Sequence, residues 1–302
     1  MIRTITGDIA GFDGPVLMHE HLQIDLSDRK GPETVLGPAH EADITADLAE
    51  AAHAHGLTAV VDLSADQFGR DAEACRRIAT ATGLHVVCAT GCYWDPIPEY
   101  AEQASEDALH SRMVRELTEG IGGTAIRCGV IKIGTGAETP TATTGRIFDA
   151  AARAARDTGA AVVTHTTRPQ QAEWQIARLR GAGLAPERIL ISHMHGFGSV
   201  SALRTIAATG VTMGIDQIGF AKGPSYDEYA DLVAGACAAG LTRQLIISSD
   251  MARHTRLRRH GGSSYGTIFA EFLPRLIARG VGAAEINIML RQTPERLLHF
   301  AS

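Results

Sequence analysis

The sequence predicts an α/β protein, a (β/α)8 barrel of the TIM type with a short N-terminal β-hairpin, and three observations carry that expectation. Eight short apolar, β-rich runs recur along the 302 residues, Ala-rich amphipathic segments separate them, and residues of metal-binding type stand at the ends of five of the runs. In a parallel barrel the carboxyl ends of the strands converge on one face, so residues far apart in sequence become neighbours there.

Taken in order, MIRTITGDIAGFDG alternates as a small hairpin would. The apolar runs then fall at about residues 16–21, 59–64, 85–91, 128–133, 160–165, 188–193, 210–215 and 244–249, and eight is the number a closed barrel needs. Between them lie ITADLAEAAHAHG, DAEACRRIATATG, ALHSRMVRELTEGI, GRIFDAAARAARDTG, PQQAEWQIARLRGAG, SALRTIAATG and YDEYADLVAGACAAG. Each ends near a glycine, a common helix stop. AEFLPRLIARG and EINIMLRQTPERLLHF read as two closing helices over the outside of the barrel. Strand and helix alternate throughout, which implies a parallel sheet with right-handed crossovers. An open doubly wound sheet alternates in the same way. Against it, no GxGxxG follows the first strand, and ligand-type residues on strands one, four, five, six and eight would converge less well in an open sheet. No Pro-, Gly- or Ser-rich linker divides the chain, so residues 1–302 are expected to form a single barrel domain.

A hydrophobic content of 45% with only 5% aromatics suits a core of Ala, Val, Leu and Ile. The formal charge of −6 argues against a nucleic-acid partner, since the basic cluster from Arg253 to His260 is local. Cys75, Cys88, Cys92, Cys128 and Cys237 are odd in number, form no CxxC and lie mostly in apolar segments, as small core residues in a reducing compartment would. There is no apolar signal core at the N-terminus and no window of roughly 18 apolar residues. The expectation is a cytoplasmic protein that acts on a small molecule, away from membranes.

The residues that carry chemistry are His19, His21, Lys132, His165, His193 and Asp250, in the strings VLMHEH, GVIKIG, AVVTHT, ILISHM and LIISSD. In a strand, residues two apart share a side, so His19 and His21 can grip one ion together. His53 and His55 have the same spacing but lie in a helical pattern, where they point about 200° apart, so they are expected to face solvent or to be half-buried near the helix end. Imidazole and carboxylate suit zinc and similar ions. Four histidines and an aspartate exceed one tetrahedral shell, whereas two ions about 3.5–4 Å apart would use them all and hold a bridging hydroxide. Lys132 is the odd member, because an ammonium with pKa about 10.4 repels a cation. It needs modification or another role.

VLMHEHL, GVIKIGT, VVTHT, ILISHM and LIISSDM, with GGSSYGTIFAEFLPRL and TPERLL beyond them, resemble the phosphotriesterase family of the amidohydrolase superfamily, in the same order along nearly the whole chain. The resemblance implies a binuclear-metal-dependent hydrolase. It implies that Lys132 is carboxylated by CO2 to a carbamate bridging both ions. His19, His21 and Asp250 would then hold the more buried ion, and His165 and His193 the more exposed one. Asp250 would also take the proton as the bridging hydroxide attacks. Two divalent ions are implied, zinc foremost, with manganese, cobalt or iron as options, and relatives are often homodimers. Neither GxSxG nor a Walker sequence is present.

Substrate is the harder inference. Lys222, after strand seven, and Arg253, after Asp250, stand in loops that should rim the pocket, where they either meet solvent or clamp an anionic group remote from the reacting bond. A branch of the family with similar loops hydrolyses phosphorylated sugar lactones, so a phosphorylated or carboxylated lactone is the leading expectation. Gln217 stands where acyl-homoserine-lactone hydrolases of the family carry an arginine. Tyr93 and Trp94, following Cys92 after strand three, are expected either to contact substrate or to pack as an aromatic lid. Glu20 faces away from its flanking histidines and should anchor the strand, while His195 is either a pocket residue or a surface one. Phosphotriester and amide hydrolysis remain open within the family. From other classes, a barrel nuclease opening with HxH would carry a glutamate where Lys132 stands, and a non-catalytic metal- or ligand-binding barrel remains open.

Overall fold

The computed structural model describes residues 1–93, 96–136, 139–220 and 222–300. Eight strands form one parallel sheet: β1 (Val16–Glu20), β2 (Ala59–Asp62), β3 (His85–Cys92), β4 (Val130–Thr135), β5 (Ala161–Thr166), β6 (Ile189–Ile191), β7 (Thr212–Ile215) and β8 (Leu245–Ile247). They are ordered in space as in sequence. The two edges meet where Asp250 N–H donates to His19 O at 3.0 Å and His21 N–H to Met251 O at 3.2 Å. Glu20 completes the seam: its carboxylate accepts from Ser248 Oγ, Ser249 N, Ser249 Oγ and Met251 N at 2.8 to 2.9 Å. The anchoring role read from its orientation is borne out in this contact set.

The helices between strands are α1 (Glu41–His55), α2 (Ala72–Thr82), α3 (Glu106–Thr118), α4 (Ala142–Thr158), α5 (Pro169–Gly181), α6 (Val200–Ala207) and α7 (Tyr226–Ala238). Each covers a segment whose periodicity predicted it, and α1, α2 and α4 stop at left-handed glycines, Gly56, Gly83 and Gly159. Ile2–Thr4 and Gly7–Ile9 pair as the expected hairpin. Val16, Met18, Val61, Ala89, Val130, Val163, Leu190 and Ile246 fill the barrel, packed with Ile2 and Phe12 from the N-terminal segment and Leu297 and Leu298 from the C-terminal one. Four of the cysteines are buried, Cys237 is half-buried, and all five are free.

Three features depart from the pattern. β1 carries a bulge between Leu17 and Glu20, where three steps on β1 face two on β2. Val16 and Met18 point into the barrel, and the extra residue shifts the alternation so that His19 and His21, not Glu20, turn inward beyond it. The segment after β1 is not plain loop: Ile24–Asp25 pairs with Val35–Leu36 around a helical turn, Ser27–Lys30. The two closing helices each contain a wide turn: Ile268–Phe272 precedes Leu273–Ala278, and Ile288–Gln292 lies between Ala283–Asn287 and Thr293–Leu298. Pro274 and Pro294 sit at those junctions and lack the N–H that a regular helix would use. Among the described residues, no helix is long and apolar enough to cross a membrane.

Candidate metal centre

All six ligand-type residues meet at the carboxyl ends of the strands, and all six are buried. His21 Nε2 lies 3.1 Å and His19 Nε2 3.6 Å from Asp250 Oδ1. Lys132 Nζ lies 3.4 Å from His19 Nε2. Beside them His193 Nε2 and His165 Nδ1 are 2.9 Å apart. Two donors bound tetrahedrally to one zinc ion at 2.0–2.1 Å sit roughly 3.3 Å apart, so these separations fit two adjoining ion sites. His53 and His55, by contrast, lie on α1, exposed and half-buried respectively.

The rings are aimed from behind. Asp216, just past β7, accepts from His19 Nδ1 at 2.7 Å and from His193 Nδ1 at 2.9 Å, and its Oδ1 also accepts from His193 N–H at 2.8 Å. With both Nδ1 atoms so engaged, both Nε2 atoms are presented to the cavity. Asp216 also falls within a metal-compatible group with His19 and His193, but its oxygens face the far side of both rings, which makes it their orienter. His21 Nδ1 is held 2.9 Å from Ser64 Oγ in the same manner. The sequence reading missed Asp216, although VTMGID carries the signal used for the other six, an apolar run ending in an acid. Gly214 makes room for it, since a Cβ there would lie 2.6 Å from Asp216 Oδ2. Gly91 does the same for Lys132: it holds φ +117°, and a Cβ would lie 2.1 Å from Lys132 O.

Backbone strain gathers here. Among the described residues, the non-glycine positions with positive φ are His193 at 64°, Asp250 at 47° and Ser264 at 52°. Two of the three are ligand-type residues, and such conformations persist where the surroundings impose them.

Burial dominates the electrostatics. It pulls His19 down to about 4, assisted by the Lys132 charge and opposed by Asp216 and Asp250. It holds His165 well below its ordinary value, with His193 and Lys132 adding to the effect. The Lys132 amine falls to about 8 through burial, with Asp216 and Asp250 opposing. Burial pushes the Asp216 and Asp250 carboxyls up, but the surrounding histidines outweigh it and hold both well below the usual carboxylate range. The pocket thus keeps the His19 and His165 imidazoles neutral beside ionised carboxylates, the protonation states a cation requires.

The expected substrate residues are placed unevenly. Tyr93 OH lies 2.7 Å from His165 Nδ1, inside the centre. Gln217 donates from Nε2 to Asp250 Oδ2 at 2.8 Å, so it supports the aspartate. Arg253 Nη1 is paired with Glu33 Oε1 at 2.8 Å. Lys222 is exposed, and Trp94 lies outside the described residues. His195 is half-buried, its ring 6.3 Å from that of His193 and 5.3 Å from that of Tyr229, and burial lowers it to about 4.

The chain matches the Phosphotriesterase family over residues 2–298. It belongs to that family. It is 28% identical over 285 residues to the phosphotriesterase homology protein of Escherichia coli, covering 94% of this chain and 97% of that protein. It is 27% identical over 261 residues to the human N-acetyltaurine hydrolase, covering 82% and 74%. A lactonase from Listeria monocytogenes superposes with a TM-score of 0.91 at 25% identity, covering 100% of this chain and 99% of that one. This phosphotriesterase-family chain is accordingly a hydrolase with a TIM-barrel fold.

Proposed function

We propose that this protein is a binuclear-metal-dependent lactonase or carboxylic-ester hydrolase whose substrate carries an anionic group away from the scissile bond. The observation that carries the reading is the convergence of two donor sets, His19, His21 and Asp250 in one and His165 and His193 in the other, with Lys132 beside His19 of the first. Two divalent ions held there, zinc foremost, would polarise the scissile carbonyl and make water a nucleophile near neutral pH. Lys132, once carboxylated, would offer those ions a further anionic oxygen ligand. Its amine, lowered to about 8 by burial, is free in a larger fraction at neutral pH than an ordinary lysine, and only the free amine adds to CO2.

The protein's own groups supply the rest. Asp250 takes the proton of the attacking water, and Gln217 holds its Oδ2 in place for that purpose. Tyr93 OH, on the His165 side, is positioned to meet the carbonyl end of the substrate. Arg253 and Lys222 meet the remote anion. The lactonase relative supports the bond class, and the human relative's substrate, an N-acyl group beside a sulfonate, has the same division into acyl bond and anion.

The test is a panel of phosphorylated, carboxylated and neutral lactones with metal-loaded protein. Arg253→Ala and Lys222→Ala should raise KM far more for the anionic lactones than for the neutral ones; equal effects on both remove the anion clamp. Asp250→Asn should lower kcat by orders of magnitude with the fold retained, and survival of activity within a few-fold overturns its role as proton acceptor.

A further inference from the structure

Arg253, one of the two cations assigned to the substrate's anion, already holds a carboxylate. Glu33 Oε1 accepts from Arg253 Nη1 at 2.8 Å, and the N–H of the next residue, His254, donates to Glu33 O at 3.1 Å. Both the side chain and the backbone of Glu33 therefore grip the loop after β8. The position is built. Gly31, at φ +94°, begins a turn in which Thr34 N–H and Oγ1–H both donate to Gly31 O, at 3.0 and 2.6 Å, and Leu26 N–H donates to Thr34 O at 2.9 Å. This turn sits between the short paired segments Ile24–Asp25 and Val35–Leu36. Phe220, two residues before Lys222, places its ring centroid 5.7 Å from Arg253 Cζ, so the loops after β1, β7 and β8 converge on one rim.

We propose that Glu33 is an internal anion occupying the rim's cation patch, and that it sets which anionic substrates can enter, favouring a phosphate monoester over a carboxylate. This rests on the anionic-substrate reading above and specifies its charge. The carboxyl of Glu33 is held below its ordinary value by its own N–H and by Arg253 and Lys222, so it remains an anion throughout the neutral range. The Arg253 and Glu33 side chains are 25% and 39% exposed, so water and salt reach the pair and it can exchange. A substrate carboxylate would trade one single charge for another and gain little. A phosphate monoester carries about −1.5 to −2 charge and three acceptor oxygens, enough to displace Glu33 or to bridge from Arg253 to Lys222.

The experiment is calorimetric titration of the metal-loaded protein with glycerol 1-phosphate, glycerate and glycerol, using wild type, Glu33→Gln and Arg253→Ala. Glycerol 1-phosphate should bind the wild type more tightly than glycerate. Glu33→Gln should tighten glycerate by about fivefold, the upper range for a rim ion pair, change glycerol 1-phosphate less, and leave glycerol unaffected. Arg253→Ala should weaken both anions. If Glu33→Gln leaves glycerate unchanged while Arg253→Ala weakens glycerol 1-phosphate, the role of Glu33 is overturned and the anion clamp stands. If Arg253→Ala leaves glycerol 1-phosphate unchanged, the anion binds elsewhere and the anionic-substrate reading fails as well.

Discussion

Asp216 spends both oxygens on imidazoles, one on Nδ1 of His19 and the other on Nδ1 of His193. Asp216→Asn preserves the volume but replaces one acceptor with a donor, so one ring must change tautomer or turn, and its Nε2 is no longer presented. Loss of such an orienting partner typically costs 10–100-fold in metal affinity, and that is the expected result in a zinc or cobalt titration against a competing chelator. Activity should return in part at high metal concentration, because the ligands themselves remain. Unchanged affinity would show that the two rings are fixed by packing alone. Gly214→Ala should act in the same direction, since its methyl would meet Asp216 Oδ2. Residue type and position at a strand end made His19, His21, Lys132, His165, His193 and Asp250 legible in the sequence. Asp216 has the same two attributes but no metal-facing role, and it becomes interpretable only when His19 and His193 are seen on either side of it.

Strands and helices were legible because their signals are local: apolar runs bounded by polar turns, and glycines that accept the left-handed conformation at the ends of α1, α2 and α4. The bulge in β1 was not, since it is defined by register against β2. Nor was the ribbon between β1 and α1, whose paired segments are two residues long. Those two irregularities matter most for function, because the bulge turns His19 and His21 inward and the ribbon carries Glu33 to the rim. The bulged strand also has to close the barrel, and Glu20 provides the means, with four donors from the segment Ser248–Met251 on one buried carboxylate. Burial pushes that carboxyl up and the four donors pull it back. Glu20→Ala strips all four of their acceptor at once, and with each unsatisfied buried donor costing about 1–3 kcal/mol before relaxation or water entry, a net loss of several kcal/mol is expected. Urea unfolding would measure it. A loss below about 1 kcal/mol, within the range of an ordinary surface substitution, would mean that the main-chain bonds at Asp250 and His21 close the seam unaided.

At the scale of the whole molecule, protons and metal ions compete for the same polar end of the barrel. In the metal-free chain, burial lowers His19 and His195 to about 4 from an ordinary 6.5, and His165 falls well below it. Between those limits the unfolded chain binds protons on these histidines and the folded chain does not, so their contribution to stability is fully present above about pH 6.5 and declines as pH falls towards 4. Asp216 and Asp250 extend the loss to lower pH, because their folded carboxyls lie well below the usual 3.8. Chelator-treated protein should therefore show a urea midpoint that drops steadily from pH 7 to pH 5 with an unchanged m-value. A midpoint constant over that interval would mean that the imidazoles are solvated or already charged in the folded state. Loading with metal at 100 times its dissociation constant adds about 2.7 kcal/mol at neutral pH. That increment should shrink on acidification, because the Lys132 amine, at about 8, must lose its proton before it can be carboxylated and serve the ions, whereas folded His19 is already proton-free down to about pH 4. The gap between the loaded and stripped curves should accordingly be widest near neutrality and narrow towards pH 5; a gap independent of pH over that interval would mean that Lys132 takes no part in holding the ions.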